Sequence, residues 1–246
     1  MKIIGDTHIG LIRQANEDAL AFAYFEDGNA WAIVCDGMGG VSGGQVASSI
    51  CIEKVAEALI RGYRSGMTVN NAKNLLMSAI SAANYAVFKR AQESRMYSGM
   101  GTTVVAVLVL GNVAVIGHVG DSRAYIIDNE NIKAVTKDHS FVQLLIDTGR
   151  ITEEEAKDHP DRNVITKAVG IEYIVETEFD IIDIEANQKL LICTDGLNGY
   201  VDDAEIFKIV NKYGDSSAEM LIDAANNAGG RDNVTVIVIS PDNEGG

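Results

Sequence analysis

Residues 30–44 read AWAIVCDGMGGVSGG, and two opposed chemistries meet inside them. Ala30 to Cys35 is a short apolar run rich in strand formers. It stops at Asp36, and five of the next eight residues are glycine. A carboxylate at the mouth of a buried strand is costly unless something compensates its charge. Clustered glycines mean that backbone must come close to something there. The first reading is therefore that Asp36 and the Gly37 carbonyl hold a metal ion.

Three further aspartates repeat the pattern. Gly117-His118-Val119-Gly120 leads into Asp121, Lys189 to Thr194 (KLLICT) leads into Asp195-Gly196, and Asp232 follows Gly229-Gly230-Arg231 just before a final apolar run. Asp and Gly are ordinary turn residues, and any one of these sites taken alone reads as a turn. Four of them at strand ends is a different matter. Strand ends that share one sheet edge bring distant residues together, and carboxylates gathered there repel without cations. Oxygen-only ligands select hard ions such as Mg²⁺ or Mn²⁺.

The pattern along the chain predicts strands at 2–7, 19–25 and 30–35, then helices at about 44–62 and 71–94 with apolar stripes at helical spacing. Apolar runs at 102–110 and 113–119 flank Gly111-Asn112 and read as a hairpin, not a membrane span. Strands at 123–127 and 132–135 follow through short connections, so the pairing is antiparallel. A polar stretch from about 140 to 168 reads as an insertion with two short helices. The second of these opens on Thr152 with Glu155 as a capping box. Strands at 174–182 and 188–193, helices at 202–211 and 216–228 (capping box Ser216/Glu219) and a strand at 234–239 complete a single domain spanning 1–246. The order predicts an α+β fold: mainly antiparallel sheets with helix pairs outside.

Composition excludes several partners. The formal net charge is −15, from 35 acids and 20 bases, which argues against nucleic acid and anionic membrane surfaces. Cys35, Cys51 and Cys193 form no CxxC pair and read as reduced thiols of a cytoplasmic protein; no basic-then-apolar leader opens the chain. The glycines of residues 37–44 match neither GxGxxG nor a Walker loop, no GxSxG is present, and no EF-hand loop supports a Ca²⁺ module. Four histidines show no ligand pair at i, i+4: His118 reads as a core residue, His139 and His159 as surface residues or substrate contacts. Arg13, in RQANED at 13–18, supplies a fork suited to a tetrahedral oxyanion, with a salt bridge to Glu17 or Asp18 as the plain alternative.

The chain resembles the metal-dependent serine/threonine protein phosphatases of the type-2C (PPM) family, of the compact bacterial kind. The resemblance runs through RQANED at 13–18, CDGMGGVSGGQVAS at 35–48, GMGTT at 99–103, GHVGDSRAY at 117–125, KDHS at 137–140, HPDRNVITKAVG at 159–170, TDGL at 194–197 and GGRDNVTVIVI at 229–239. It implies a four-layer α-β-β-α sandwich of two mainly antiparallel sheets flanked by helix pairs, with a two-metal centre at one edge. Asp36 matches the carboxylate that bridges both ions, Gly37 gives a backbone carbonyl to one, and Asp195 and Asp232 match ligands of the other. Glu17 and Asp18 match acids that act through metal-bound water, and Asp121 matches a ligand of a third, weaker ion. Arg13 matches the phosphate-binding arginine, and the insertion at about 140–168 matches the family's flap. The implied activity is hydrolysis of phosphoserine and phosphothreonine in proteins by a water bridging two Mn²⁺ or Mg²⁺ ions, without a phosphoenzyme. Relatives place a histidine at the positions of Met38 or Val41; here neither supplies a general acid, and a metal-bound water is expected in that role. The implied partners are a phosphoprotein substrate and a serine/threonine kinase or its targets, and a monomer is expected.

Overall fold

The computed structural model describes residues 1–40 and 43–241. Along the chain run β1 (Lys2–His8), β2 (Asp18–Tyr24), β3 (Ala30–Met38), α1 (Gly43–Gly62), α2 (Val69–Glu93), β4 (Gly101–Thr102), β5 (Val104–Leu110), β6 (Val113–Val119), β7 (Arg123–Ile127) and β8 (Ile132–Ala134). Then come α3 (Phe141–Asp147), α4 (Glu153–Lys157), β9 (Glu178–Asp183), β10 (Lys189–Cys193), α5 (Asp195–Asn198), α6 (Asp203–Tyr213), α7 (Ser217–Asn227) and β11 (Val234–Ser240).

The strands form two sheets, ordered β1-β11-β10-β7-β8 and β2-β3-β5-β6-β9, with β4 added against β3. Every named pairing is antiparallel. Alternation along the strands sorts the apolar side chains into three clusters. Val34, Val107, Ile116, Leu190, Ile192 and Ile237 point between the sheets. Ile33, Val104, Leu108 and Val115 point the other way, onto Cys51, Val55, Leu76 and Ile80 of α1 and α2. Tyr125, Leu191, Val236 and Val238 face Ile206, Val210, Leu221 and Ile222 of α6 and α7. Each fully buried side chain of this size contributes about 1.5–3 kcal/mol. The result is the expected four-layer α-β-β-α sandwich.

Local chemistry sets most element ends as expected. Gly111-Asn112 closes the hairpin, since Leu110 pairs with Val113. Thr152 and Glu155 form the capping box on α4; α2 starts two residues before its expected position, where Thr68 caps it by accepting from the Asn71 N–H. Four more ends differ. β3 runs on to Met38 because Gly37 and Met38 pair with Thr102 and Gly101. β9 begins at Glu178, not near 174. The buried Asn84 carboxamide donates to the Glu172 and Tyr173 carbonyls and accepts from the Gly170 N–H, so this stretch is held by a side chain and not by a strand. Ser216 starts α7 without a side-chain cap, its backbone (φ −95°, ψ 6°) lying outside the extended geometry a cap needs. The four-residue α5 is too short to show a period. No helix among the described residues is long and apolar enough to cross a membrane.

Candidate metal centre

One edge of the sandwich collects the predicted residues from both sheets. Asp18 opens β2 directly opposite Asp36 on β3. Asp121 follows the end of β6, Asp195 the end of β10, and Asp232 precedes β11. Antiparallel alternation is what brings these starts and ends to the same side.

Close backbone approach explains the glycines of the opening stretch. A Cβ on Gly37 would stand 2.1 Å from the Gly44 carbonyl oxygen and 2.5 Å from that of Glu17. A Cβ on Gly44 would stand 2.7 Å from Glu17 Oε1. The strand, the first turn of α1 and the Glu17 carboxylate therefore interlock only without side chains, and Glu17 lies where a helix N-terminus favours negative charge. The Gly37 N–H donates to the Glu17 carbonyl at 3.1 Å. Thr103 Oγ1 accepts from the Asp36 N–H at 2.9 Å, fixing the backbone at the carboxylate.

The aspartates lie close enough to shift one another. Withdrawal from water, then the charges of Asp18, Asp195 and Asp121, hold the Asp36 carboxyl well above the usual range although it keeps some surface at the edge. Burial raises Asp195, with Asp232 adding to it. Burial pushes Asp121 up to about 8, followed by Asp195 and Asp138. Asp18 is pushed up to about 7 by burial, against two hydroxyl bonds that favour its charge. Those bonds come from Thr194 and Thr235, at 2.8 and 2.7 Å to Asp18 Oδ2. Because Thr235 donates to Asp18, Thr7 donates to Thr235 (2.7 Å) and accepts from Asn16 (3.0 Å). The chain of donors ends on the carboxylate.

Asp18 Oδ1 and Asp195 Oδ1 are buried with no hydrogen-bond partner. A buried, unpartnered carboxylate oxygen is costly in a protein interior. Two of them among raised, mutually repelling acids suit a hard cation, and the donor set is all oxygen. Arg13 is half-exposed and donates to Asp232 Oδ2 at 2.7 Å, so its carboxylate partner is neither Glu17 nor Asp18. Asp232 heads the causes that raise Arg13 further, while burial opposes them. Met38 ends β3 beside the site and carries no acid; Val41 lies outside the described residues.

Two features lie beyond the reach of the sequence. Arg123 does not pair with Asp121; it grips Asp138 with two bonds of 2.7 Å. His139 is buried, not a surface residue, and stacks on His118 with ring centroids 4.9 Å apart. His118, His139 and Glu178 each offer a ligand atom within 4.8 Å of the others. His118 Nδ1 is buried with no hydrogen-bond partner, and so is His139 Nε2 apart from the nearby Glu178 carboxylate. The Gly120 N–H donates to His139 Nδ1 at 3.0 Å, so the ring proton sits on Nε2, 2.8 Å from Glu178 Oε1. His118 Nε2 likewise faces the Lys137 carbonyl at 3.0 Å. The group ties the base of the 140–168 insertion to the turn before Asp121.

The model of the family described as protein phosphatase 2C matches residues 4–227. The chain belongs to the protein phosphatase 2C family. Serine/threonine phosphatase stp of Listeria innocua is 34% identical over 235 residues, covering 95% of this chain and 93% of that protein. The crystal structure of serine/threonine phosphatase Stp1 from Staphylococcus aureus superposes with a TM-score of 0.92 at 37% identity, covering 98% of this chain and 95% of the other. The catalytic domain of serine threonine protein phosphatase PstP, solved in complex with 2 manganese ions, gives a TM-score of 0.82 at 33% identity, with 96% of each chain covered. This family member is thus a protein phosphatase with the sandwich fold of its relatives.

Proposed function

We propose that the chain hydrolyses phosphoserine and phosphothreonine in proteins by direct attack of water, without a phosphoenzyme. Asp36, the Gly37 carbonyl, Asp195 and Asp232 would hold two divalent ions, with Asp36 shared between them. Asp18 and Glu17 would act through water, and Asp121 would serve a third, weaker ion. When bound, such ions supply Lewis acidity at the phosphoryl oxygens and a water nucleophile at neutral pH. The remaining work falls to protein groups. Arg13 stands at the rim with its guanidinium half-exposed and binds the phosphate through a planar fork of donors. Thr194 and Thr235 orient Asp18 and keep one of its oxygens turned away from solvent. The observation that carries the reading is the pair of buried, unpartnered carboxylate oxygens on Asp18 and Asp195. Manganese in the related PstP structure supports Mn²⁺ or Mg²⁺ as the ions. The buried free thiols support a cytoplasmic setting, where the natural substrate would be a phosphoprotein made by a serine/threonine kinase.

Release of phosphate from a phosphothreonine peptide, with Mn²⁺ and with chelator, tests the proposal. Turnover is expected only with the ion, and Asp36→Asn should lower kcat/KM by about a hundredfold or more. Metal-independent turnover, or an unimpaired Asp36→Asn enzyme, overturns the mechanism.

A further inference from the structure

We propose that Asn233 is a positioning residue that fixes Arg13 for phosphate binding, by clamping the loop of residues 9–17 onto the start of β11. The inference rests on the reading of Arg13 given above. The Asn233 carboxamide donates to the Ile9 carbonyl at 2.9 Å and to the Ala15 carbonyl at 3.0 Å. Its oxygen accepts from the Glu17 N–H at 2.8 Å. The three bonds close a ring around Gly10, Leu11, Ile12, Arg13 and Gln14. Both N–H donors and one acceptor lone pair are satisfied by backbone, a pattern that a short amide alone can offer. Asn233 is 5% exposed, so these bonds form away from water and leave costly orphans when lost.

The other ties on the loop are polar as well: the Gly10 N–H donates to His8 Nδ1 at 2.9 Å, Asn16 donates to Thr7, the Gly37 N–H donates to the Glu17 carbonyl and Arg13 donates to Asp232. Leu11 and Ile12 are 64% and 68% exposed, so no apolar contact of weight fixes their neighbour Arg13. The Leu11 N–H donates to the Gly230 carbonyl at 2.7 Å, a second anchor on the same approach to β11. Polar clamping therefore sets the loop.

Asn233 also separates two roles by atom. Its backbone N–H donates to Asp232 Oδ1 at 2.8 Å. Asn233→Ala keeps that bond and removes the other three. The Asp232 carboxylate stays aimed and Glu17 keeps its backbone tie to the Gly37 N–H, while the arginine loop is released.

The experiment compares wild type, Asn233→Ala, Arg13→Ala and the double variant. With Mn²⁺ and a phosphothreonine peptide, Asn233→Ala should raise KM about tenfold and the inhibition constant of inorganic phosphate in parallel. The Mn²⁺ concentration for half-maximal activity should stay within about twofold. In the Arg13→Ala background the same change should add less than about twofold, because its effect runs through Arg13. In chelator, hydrogen exchange across residues 9–17 should quicken while β10 and β11 stay protected. Asn233→Ser, which keeps a polar group in a smaller volume, serves if the alanine variant fails to fold. Additive effects in the double variant, unchanged phosphate inhibition, or unchanged exchange in 9–17 overturn the proposal. A wild type without turnover sinks the phosphatase reading instead, and the exchange measurement then decides the clamp alone.

Discussion

Asp18 shows what a single residue of this edge costs and why its partners were hidden. In protein stripped of divalent ions, its carboxyl sits at about 7, raised by burial and by the charges of Asp195 and Asp232, against the Thr235 and Thr194 bonds. Asp121 sits at about 8. An unfolded aspartate titrates near 4, roughly. Between those values the folded chain holds more protons than the unfolded one, so its stability is greatest at the lower pH and falls as pH rises through 7 and 8. In chelator, the urea midpoint should therefore drop from about pH 6 to about pH 8.5, and Asp18→Asn should flatten part of the slope. A midpoint that rises with pH overturns this. Asp36, Asp195 and Asp232 were legible as a repeated motif, aspartate beside glycine at the end of an apolar run. The groups that hold Asp18 were not. Thr7, Thr194 and Thr235 lie far apart in sequence and meet only through strand pairing. Asn233 was silent for the same reason and His139 was read as a surface residue or substrate contact, since each acts through backbone groups of a distant loop.

At the scale of elements, periodicity served well wherever one face is apolar and the run is long. α1, α2 and the β5–β6 hairpin lie within two or three residues of expectation. It failed where a side chain competes for backbone, as Asn84 does before β9, or where an element lasts one turn, as α5 does. The insertion is legible as polar sequence, and its structure gives that polarity a consequence. α3 buries none of its residues and α4 buries only Ala156, while β5 and β6 are buried almost throughout. Few buried apolar contacts mean a low free energy of local opening. Amides of 141–157 should exchange with deuterium orders of magnitude faster than those of 104–110 and 113–119. Equal protection would mean that the insertion folds as one unit with the sheets, although its interior is almost empty.

At the scale of the whole molecule, the carboxylate edge is where the two sheets could be cross-linked. Asp18 and Asp36 belong to the β2–β3 side, while Asp195 follows β10 and Asp232 precedes β11 of the opposite sheet. Between them runs a core of aliphatic side chains that ends at the edge, where like charges replace apolar contact. A net charge of −15 adds to the repulsion. An ion held by acids from both sheets would relieve that repulsion in the folded state alone, because the unfolded chain does not gather them. Mass action then makes binding a stability term: at a free ion concentration of about a hundred times Kd it adds about 2.7 kcal/mol. For a domain of this length that raises Tm by roughly 5–10 °C. Thermal unfolding in Mn²⁺ against chelator should show this shift, and Asp36→Asn should lose most of it while melting no lower than wild type in chelator. That last comparison carries the argument. A neutral amide replaces a carboxyl that burial and its acidic neighbours make costly to ionise, so the variant should lose the ion's benefit and not the fold. A full Mn²⁺ shift in Asp36→Asn would mean that the ions bind elsewhere and that the sheets are joined by packing alone.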